Sequence, residues 1–295
     1  MLKGLKQGDT IGIIAPASPV THEEIQPAIN IIKQQGYNVL EGDHLYDTQG
    51  YLAGSDEDRL NDLHKMFRNN NIKAVLCARG GYGTPRLLDK VEYDLIKENP
   101  KLFIGYSDIT ALLLAVFHRT GIAVWHGPML RGMEGREDNI KTLLNILSSG
   151  GKISLGLEED NVIKKGKARG ILLGGNLSLI SALLGTPFLP SFKDSILFLE
   201  DRGEALYRID RMLIQLKLSG ALEGIRGLIA GNFKDCGEKE EIIELIKVTF
   251  SGDYPVCAGF PAGHGKENLP LPFGAEAELD TESLKFNVDE FIDQD

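Results

Sequence analysis

Four short segments carry the residue types that could do chemistry. In Lys101-Leu-Phe-Ile-Gly-Tyr-Ser107-Asp108-Ile-Thr an apolar strand pattern runs straight into a helical one, which places Ser107 on a sharp strand-to-helix turn. Such a turn lifts a hydroxyl clear of a sheet, and the N–H groups that open the helix can face a developing oxyanion. The pattern departs from G-x-S-x-G because Ile109 stands where the second glycine would be. Two plainer uses fit the same position: a serine that caps the helix, or a ligand-binding loop. A second turn, Arg79-Gly80-Gly81-Tyr82-Gly83, also follows a strand. In an open α/β sheet the carboxyl ends of strands share one edge, so Gly81 and Ser107 are expected to be neighbours there. Glycines at such an edge let backbone N–H groups approach a ligand. The patterns G-x-x-x-x-G-K-[ST] and G-x-G-x-x-G are missing, and a nucleotide site gains little support.

A serine nucleophile needs a base. His264, in Gly259-Phe-Pro-Ala-Gly263-His264-Gly265, follows a strand and is flanked by glycines that leave room for an exposed imidazole. His126, in Trp125-His126-Gly127-Pro128, is the runner-up, whereas His22, His44, His64 and His118 read as surface or packing residues. A third group must orient the base, and the strand Ile196-Leu-Phe-Leu ends in Glu200-Asp201-Arg202. Regular strand geometry points these two carboxylates in opposite directions, so one can face a histidine while the other cannot. Spacing alone does not choose between them, and a solvated pairing with Arg202 or Arg208 is the structural alternative.

The elements that must position these residues alternate. Strands are expected at Thr10–Ala15, Asn38–Glu41, Ala74–Ala78, Leu102–Tyr106 and Ile122–Trp125, with helices at Glu23–Gln35, Asp56–Asn69 and Ile109–Arg119 between them. Repeated βα units make an open parallel sheet flanked by helices. A helical pattern over Ile140–Leu147 precedes a Gly- and charge-rich stretch, taken as a linker over 151–168 between an N-terminal domain, 1–150, and a C-terminal domain, 169–295. The second half is a mixed α/β domain. It has strands at Gly170–Leu173, Ile196–Leu199, Gly227–Ala230 and Pro255–Ala258, helices around Leu177–Leu184, Tyr207–Leu218 and Glu240–Phe250, and a hairpin signal in Ala275-Glu-Ala-Glu-Leu-Asp-Thr-Glu-Ser-Leu-Lys-Phe-Asn-Val288.

Composition bounds the rest. The 295 residues are 42% apolar and carry 32 Lys+Arg against 42 Asp+Glu, a net charge of −10. That excess argues against nucleic acid or an anionic membrane surface as partner. The 3 cysteines are scattered without C-x-x-C spacing, which suggests neither a disulfide framework nor a thiolate metal site. No segment reads as a signal peptide or membrane span. A cytoplasmic enzyme is the expectation.

These segments, in order, resemble the LD-carboxypeptidases of serine peptidase family S66, which include muramoyltetrapeptide carboxypeptidase and the microcin C self-immunity hydrolase. The resemblance runs through Gly12-Ile-Ile-Ala-Pro-Ala-Ser18, Arg79-Gly-Gly-Tyr-Gly83, Gly105-Tyr-Ser-Asp108, His126-Gly-Pro128, Gly174-Gly-Asn176-Leu177, Leu199-Glu-Asp201, Tyr207-Arg-Ile-Asp210 and Gly263-His-Gly265. It implies a Ser107–Glu200–His264 triad, an oxyanion hole from the N–H groups of Gly81 and Asp108, and substrate contacts at Gly80, Tyr82 and Asn176. It also implies an α/β N-terminal domain, a C-terminal domain with a β-rich portion, an active site between them, and a homodimer. No metal or other cofactor is implied. The implied substrate is a small murein tetrapeptide, cut between an L-centre, diaminopimelate or Lys, and a terminal D-Ala during cell-wall recycling. A terminal carboxylate must then be held in an acidic protein, by the Gly80–Gly83 N–H groups or by Arg79. Two other readings remain: a microcin-immunity-type hydrolase of peptidyl or aminoacyl nucleotides, and a non-enzymatic small-molecule binding protein.

Overall fold

The computed structural model describes residues 2–133, 135–289 and 292–293. A six-stranded sheet dominates the first half, in the order Leu271–Phe273, Val124–His126, Leu102–Gly105, Ile72–Cys77, Thr10–Ile14, Asn38–Glu41. The last five are mutually parallel, because each is joined to the next in sequence by a crossover that places helices on the faces. The central strands Ile72–Cys77 and Leu102–Gly105 are almost wholly apolar, as a sheet covered on both sides requires. Helix His22–Gln34 starts at a Thr21–Glu24 capping box and Asp56–Arg68 at a Ser55–Asp58 one, which satisfies N–H groups that have no partner inside the helix.

The second half is built on an eight-stranded sheet. Its centre is parallel, with Lys167–Asn176, Ser195–Arg202, Gly227–Lys234 and Val256–Cys257 side by side, and helices Leu177–Leu183, Leu206–Leu218 and Lys239–Thr249 forming the crossovers. The expected hairpin is present as Glu276–Asp280 paired with Lys285–Val288, and it extends this sheet, Glu276–Asp280 lying antiparallel to Lys167–Asn176. The stretch read from sequence as a linker contains two strands. Ile153–Gly156 forms one edge of the eight-stranded sheet and Val162–Lys164 the other.

The two halves are stitched together. Leu271–Phe273, which follows the His264 loop, leaves the second half and pairs antiparallel with Val124–His126 at the edge of the first sheet. Leu2–Lys3 and Ile292–Asp293 form a separate short parallel pair.

Candidate active site

The carboxyl ends of four strands from both sheets meet at one cavity of about 960 Å³. Leu102–Gly105 delivers Ser107, Ile72–Cys77 the Gly80-Gly81 turn, Lys167–Asn176 its terminal Asn176, and Ser195–Arg202 the pair Glu200 and Asp201. Ser107, Gly80, Gly81, Asn176, Asp201 and His264 all line this cavity.

Ser107 has φ +61°, in the left-handed region that costs a non-glycine residue roughly 1–2 kcal/mol. The turn is tight because Gly105 has no side chain: a Cβ there would sit 2.6 Å from Ile109 Cγ2. Ile109 thus fills the space beside Gly105, which accounts for the departure from G-x-S-x-G. The helix begins with Ile109 N donating to Tyr106 O and Thr110 N to Ser107 O. No side chain caps it, so Ser107 is not an N-cap serine, and its hydroxyl is free of hydrogen bonds among the described residues.

Gly80 packs on the Ser107 turn so closely that a Cβ would lie 2.9 Å from Ser107 Cβ and 3.3 Å from Asp108 N. Gly81, at φ +100°, passes over Ser18. Ser18 pins the turn from two sides, its N–H donating to Gly80 O at 3.1 Å and its Oγ accepting from Tyr82 N at 3.1 Å. The N–H groups of Gly81 and Asp108 donate to nothing among the described residues. The Asp108 carboxylate is buried and faces away, accepting from Thr84 N at 2.8 Å, and burial pushes its carboxyl up despite this donor. Tyr82 does not line the cavity; its exposed ring lies edge-on to Tyr51.

On the opposite wall, His264 Nδ1 lies 2.6 Å from Glu200 Oε2. Glu200 is fully buried, and burial alone pushes its carboxyl up. The charge and hydrogen bond of His264, then His126 and the Asn176 amide, outweigh burial and hold it below the usual carboxylate range. The neighbouring Asp201 turns elsewhere, accepting from Ser178 N at 2.9 Å and Ser178 Oγ at 2.7 Å. A register shift in the strand between Leu199 and Asp201 accompanies this divergence. Asn176 Nδ2 bridges the two carboxylates, 3.3 Å from Glu200 Oε1 and 3.0 Å from Asp201 Oδ1, while its Oδ1 accepts from Leu179 N and caps the next helix. Gly263, at φ +98°, is required: a Cβ would meet Glu200 Oε2 at 2.6 Å. Its N–H donates to Asn268 Oδ1 at 2.8 Å.

His126, the alternative base, does not reach the cavity. It is fully buried among Tyr106, Phe198 and Phe273, with neither ring nitrogen hydrogen-bonded among the described residues, and burial pushes its pKa down to about 4. Sequence reasoning did not single out Ser18, Thr84, Thr110 or Asn268 as supports of the site. Ser18 entered only as the last residue of a motif of the resemblance; the others, including Thr110, whose Oγ1 accepts from Asn176 N at 3.1 Å, are polar residues signalled only by burial, which a single sequence does not display.

The sequence profile described as the LD-carboxypeptidase N-terminal domain matches residues 11–127, and that of the LD-carboxypeptidase C-terminal domain matches 169–279. The chain is 39% identical to a probable murein peptide carboxypeptidase of Bacillus subtilis, over 95% of this chain and 91% of that protein. It is 33% identical to the murein tetrapeptide carboxypeptidase of Pseudomonas aeruginosa, over 94% of each. Among solved structures, an MccF-like protein from Bacillus anthracis superimposes with a TM-score of 0.91 at 30% identity, covering 98% of this chain and 99% of that one. Profile, relatives and fold agree: the chain belongs to the LD-carboxypeptidase family, peptidase family S66, and is a serine-type carboxypeptidase.

Proposed function

We propose that the protein removes the terminal D-Ala from murein tetrapeptides through an acyl-enzyme on Ser107. The observation that carries the assignment of roles is the bonded Glu200–His264 pair facing, across one cavity, a strained serine whose hydroxyl is otherwise unengaged. His264 takes the Ser107 proton as Oγ attacks the carbonyl of the L-centre, and Glu200 holds the imidazole tautomer and stabilises the imidazolium. The Gly81 and Asp108 N–H groups receive the oxyanion; one such donor is typically worth ~3–4 kcal/mol. His264 then protonates the leaving D-Ala amine, and water, activated by the same imidazole, frees the shortened peptide. Ser107 and His264 share no hydrogen bond among the described residues, and the bound substrate is what brings them into line.

The cavity answers how an acidic protein holds a carboxylate. Arg79, Arg131, Arg136 and Arg202 line it, so the D-Ala terminus meets positive charge locally. Glu23, Glu24, Glu137 and Glu204 line it too, and suit the ammonium of a dibasic L-centre. By family resemblance the enzyme acts in the cytoplasm as a homodimer; all three cysteines are free and buried, as a reducing compartment allows.

Incubation with murein tetrapeptide is expected to release D-Ala, detected by chiral chromatography. A second reading, hydrolysis of aminoacyl nucleotides, is favoured by the similarity to the MccF-like structure. Against it, the chain's one tryptophan, Trp125, is fully buried and cannot stack on a base. Turnover of an aminoacyl-adenylate analogue with no D-Ala release from tetrapeptide would reverse the order of the two readings.

A further inference from the structure

A second cavity, of about 420 Å³, lies behind the loop that carries His264. It sits at the carboxyl ends of the parallel strands Gly227–Lys234 and Val256–Cys257, the edge at which open α/β sheets bind ligands. Its apolar wall is one face of helix Lys239–Thr249, formed by Ile242, Ile243 and Ile246, with Phe233 and Ala258 beneath. Its charged groups are all cations, Arg136, Lys234, Lys239 and Lys266, and its one neutral polar side chain, Asn232, already donates to Ala262 O at 3.0 Å.

The charge pattern is the informative part. In a chain of net charge −10, no Asp or Glu among the described residues lines this cavity, whereas acidic groups line the catalytic one. None of the four cations forms an ion pair among the described residues, and Lys239 Nζ reaches only the amide oxygen of Asn161 at 3.0 Å. The helix N-terminus is already closed by the Glu238–Glu241 capping box, so recognition of an anion falls to these side chains. A cavity of this size, with an apolar wall and a few convergent charges, is built as small-molecule sites are.

We propose that this cavity is a second binding site, for a small amphiphile with one carboxylate or phosphate on an apolar body. The acyl or aryl body lies against Ile242, Ile243 and Ile246, and the anion sits among Lys239, Lys266 and Arg136. The site is separate from the catalytic cavity, which it adjoins at Arg136. Its lining includes Gly265 and Lys266, so its occupant touches the residues directly after His264.

Calorimetric titration of the Ser107→Ala chain with sodium octanoate and with octyl phosphate tests this without turnover, so it fails or succeeds independently of the proposed function; murein tetrapeptide enters only as a competitor. One saturable site per chain is expected, with 1-octanol binding about tenfold more weakly or worse, the loss of one charge-assisted contact. Ile243→Asp and the double variant Lys239→Glu/Lys266→Glu should each weaken octanoate by about tenfold or more. The two lysines are exposed, so the double variant tests the proposal even if Ile243→Asp does not fold. Three results would overturn it: no saturable binding at millimolar concentrations, equal affinity for 1-octanol, or displacement of octanoate by murein tetrapeptide, which would make the cavity an extension of the substrate cleft.

Discussion

The two walls of the catalytic cavity are held in different ways. The Ser107 wall is fixed by backbone: a left-handed serine, a glycine pressed against it, and a second turn pinned by Ser18. The His264 wall is fixed by side chains, with Glu200, Asn176, Asp201 and Asn268 passing hydrogen bonds to one another and to the loop. The first wall should therefore tolerate loss of a polar atom structurally and fail when a Cβ is added. The second should fail when a charge is removed while its shape is kept.

Ser107→Ala separates chemistry from architecture most sharply. Alanine bears the same left-handed strain as serine and the lost hydroxyl has no partner, so melting should move little while D-Ala release falls by roughly 10⁵–10⁶-fold. Retained turnover would remove Ser107 from the mechanism. Glu200→Gln keeps the volume of the second wall but exchanges the charge facing His264, and kcat should fall about 10⁴-fold; a loss under tenfold would mean that the wall works by shape alone. In Gly81→Ala the new Cβ would lie 2.3 Å from Ser18 Oγ at a backbone angle that alanine rarely adopts. The turn must shift and withdraw one N–H donor, so kcat should drop about 10²–10³-fold with KM moving less. An equal rise in KM would instead show that Gly81 serves ground-state binding.

The smallest effect concerns His126, behind the second wall. Its folded pKa of about 4 lies below the unfolded value near 6.5, so the unfolded chain binds the extra proton first as pH falls. His126 should therefore erode stability progressively from about pH 6.5 down towards 4. His126→Phe, placed among Tyr106, Phe198 and Phe273, should flatten the dependence of Tm on pH across that window. An unchanged slope would assign the acid sensitivity to other groups.

What could be read in advance follows the same division. Asn38–Glu41 is found at its expected bounds; Ser107 stood out because a strand pattern runs straight into a helical one there, and His264 because glycines flank it after a strand. Ile153–Gly156 and Val162–Lys164 did not stand out, since edge strands have one neighbour to pair with and little need for apolar side chains. The choice of Glu200 over Asp201 came from resemblance. The geometry that distinguishes them, a register shift and an asparagine from another strand, depends on contacts distant in sequence. Tyr82 shows the reverse: its place in a glycine-rich motif suggested the cavity, and it is not among the cavity's lining residues, its ring lying edge-on to Tyr51.

The strand Leu271–Phe273 ties completion of the first sheet to a late part of the chain. It follows His264 and completes the sheet that bears Ser107, alongside His126. A growing chain that has emerged only as far as Ser107, or even Glu200, has half a site and an unfinished sheet edge. If Ser107 and His264 act together as proposed, a chain that ends before this strand and its His264 loop lacks part of the site and should release no D-Ala.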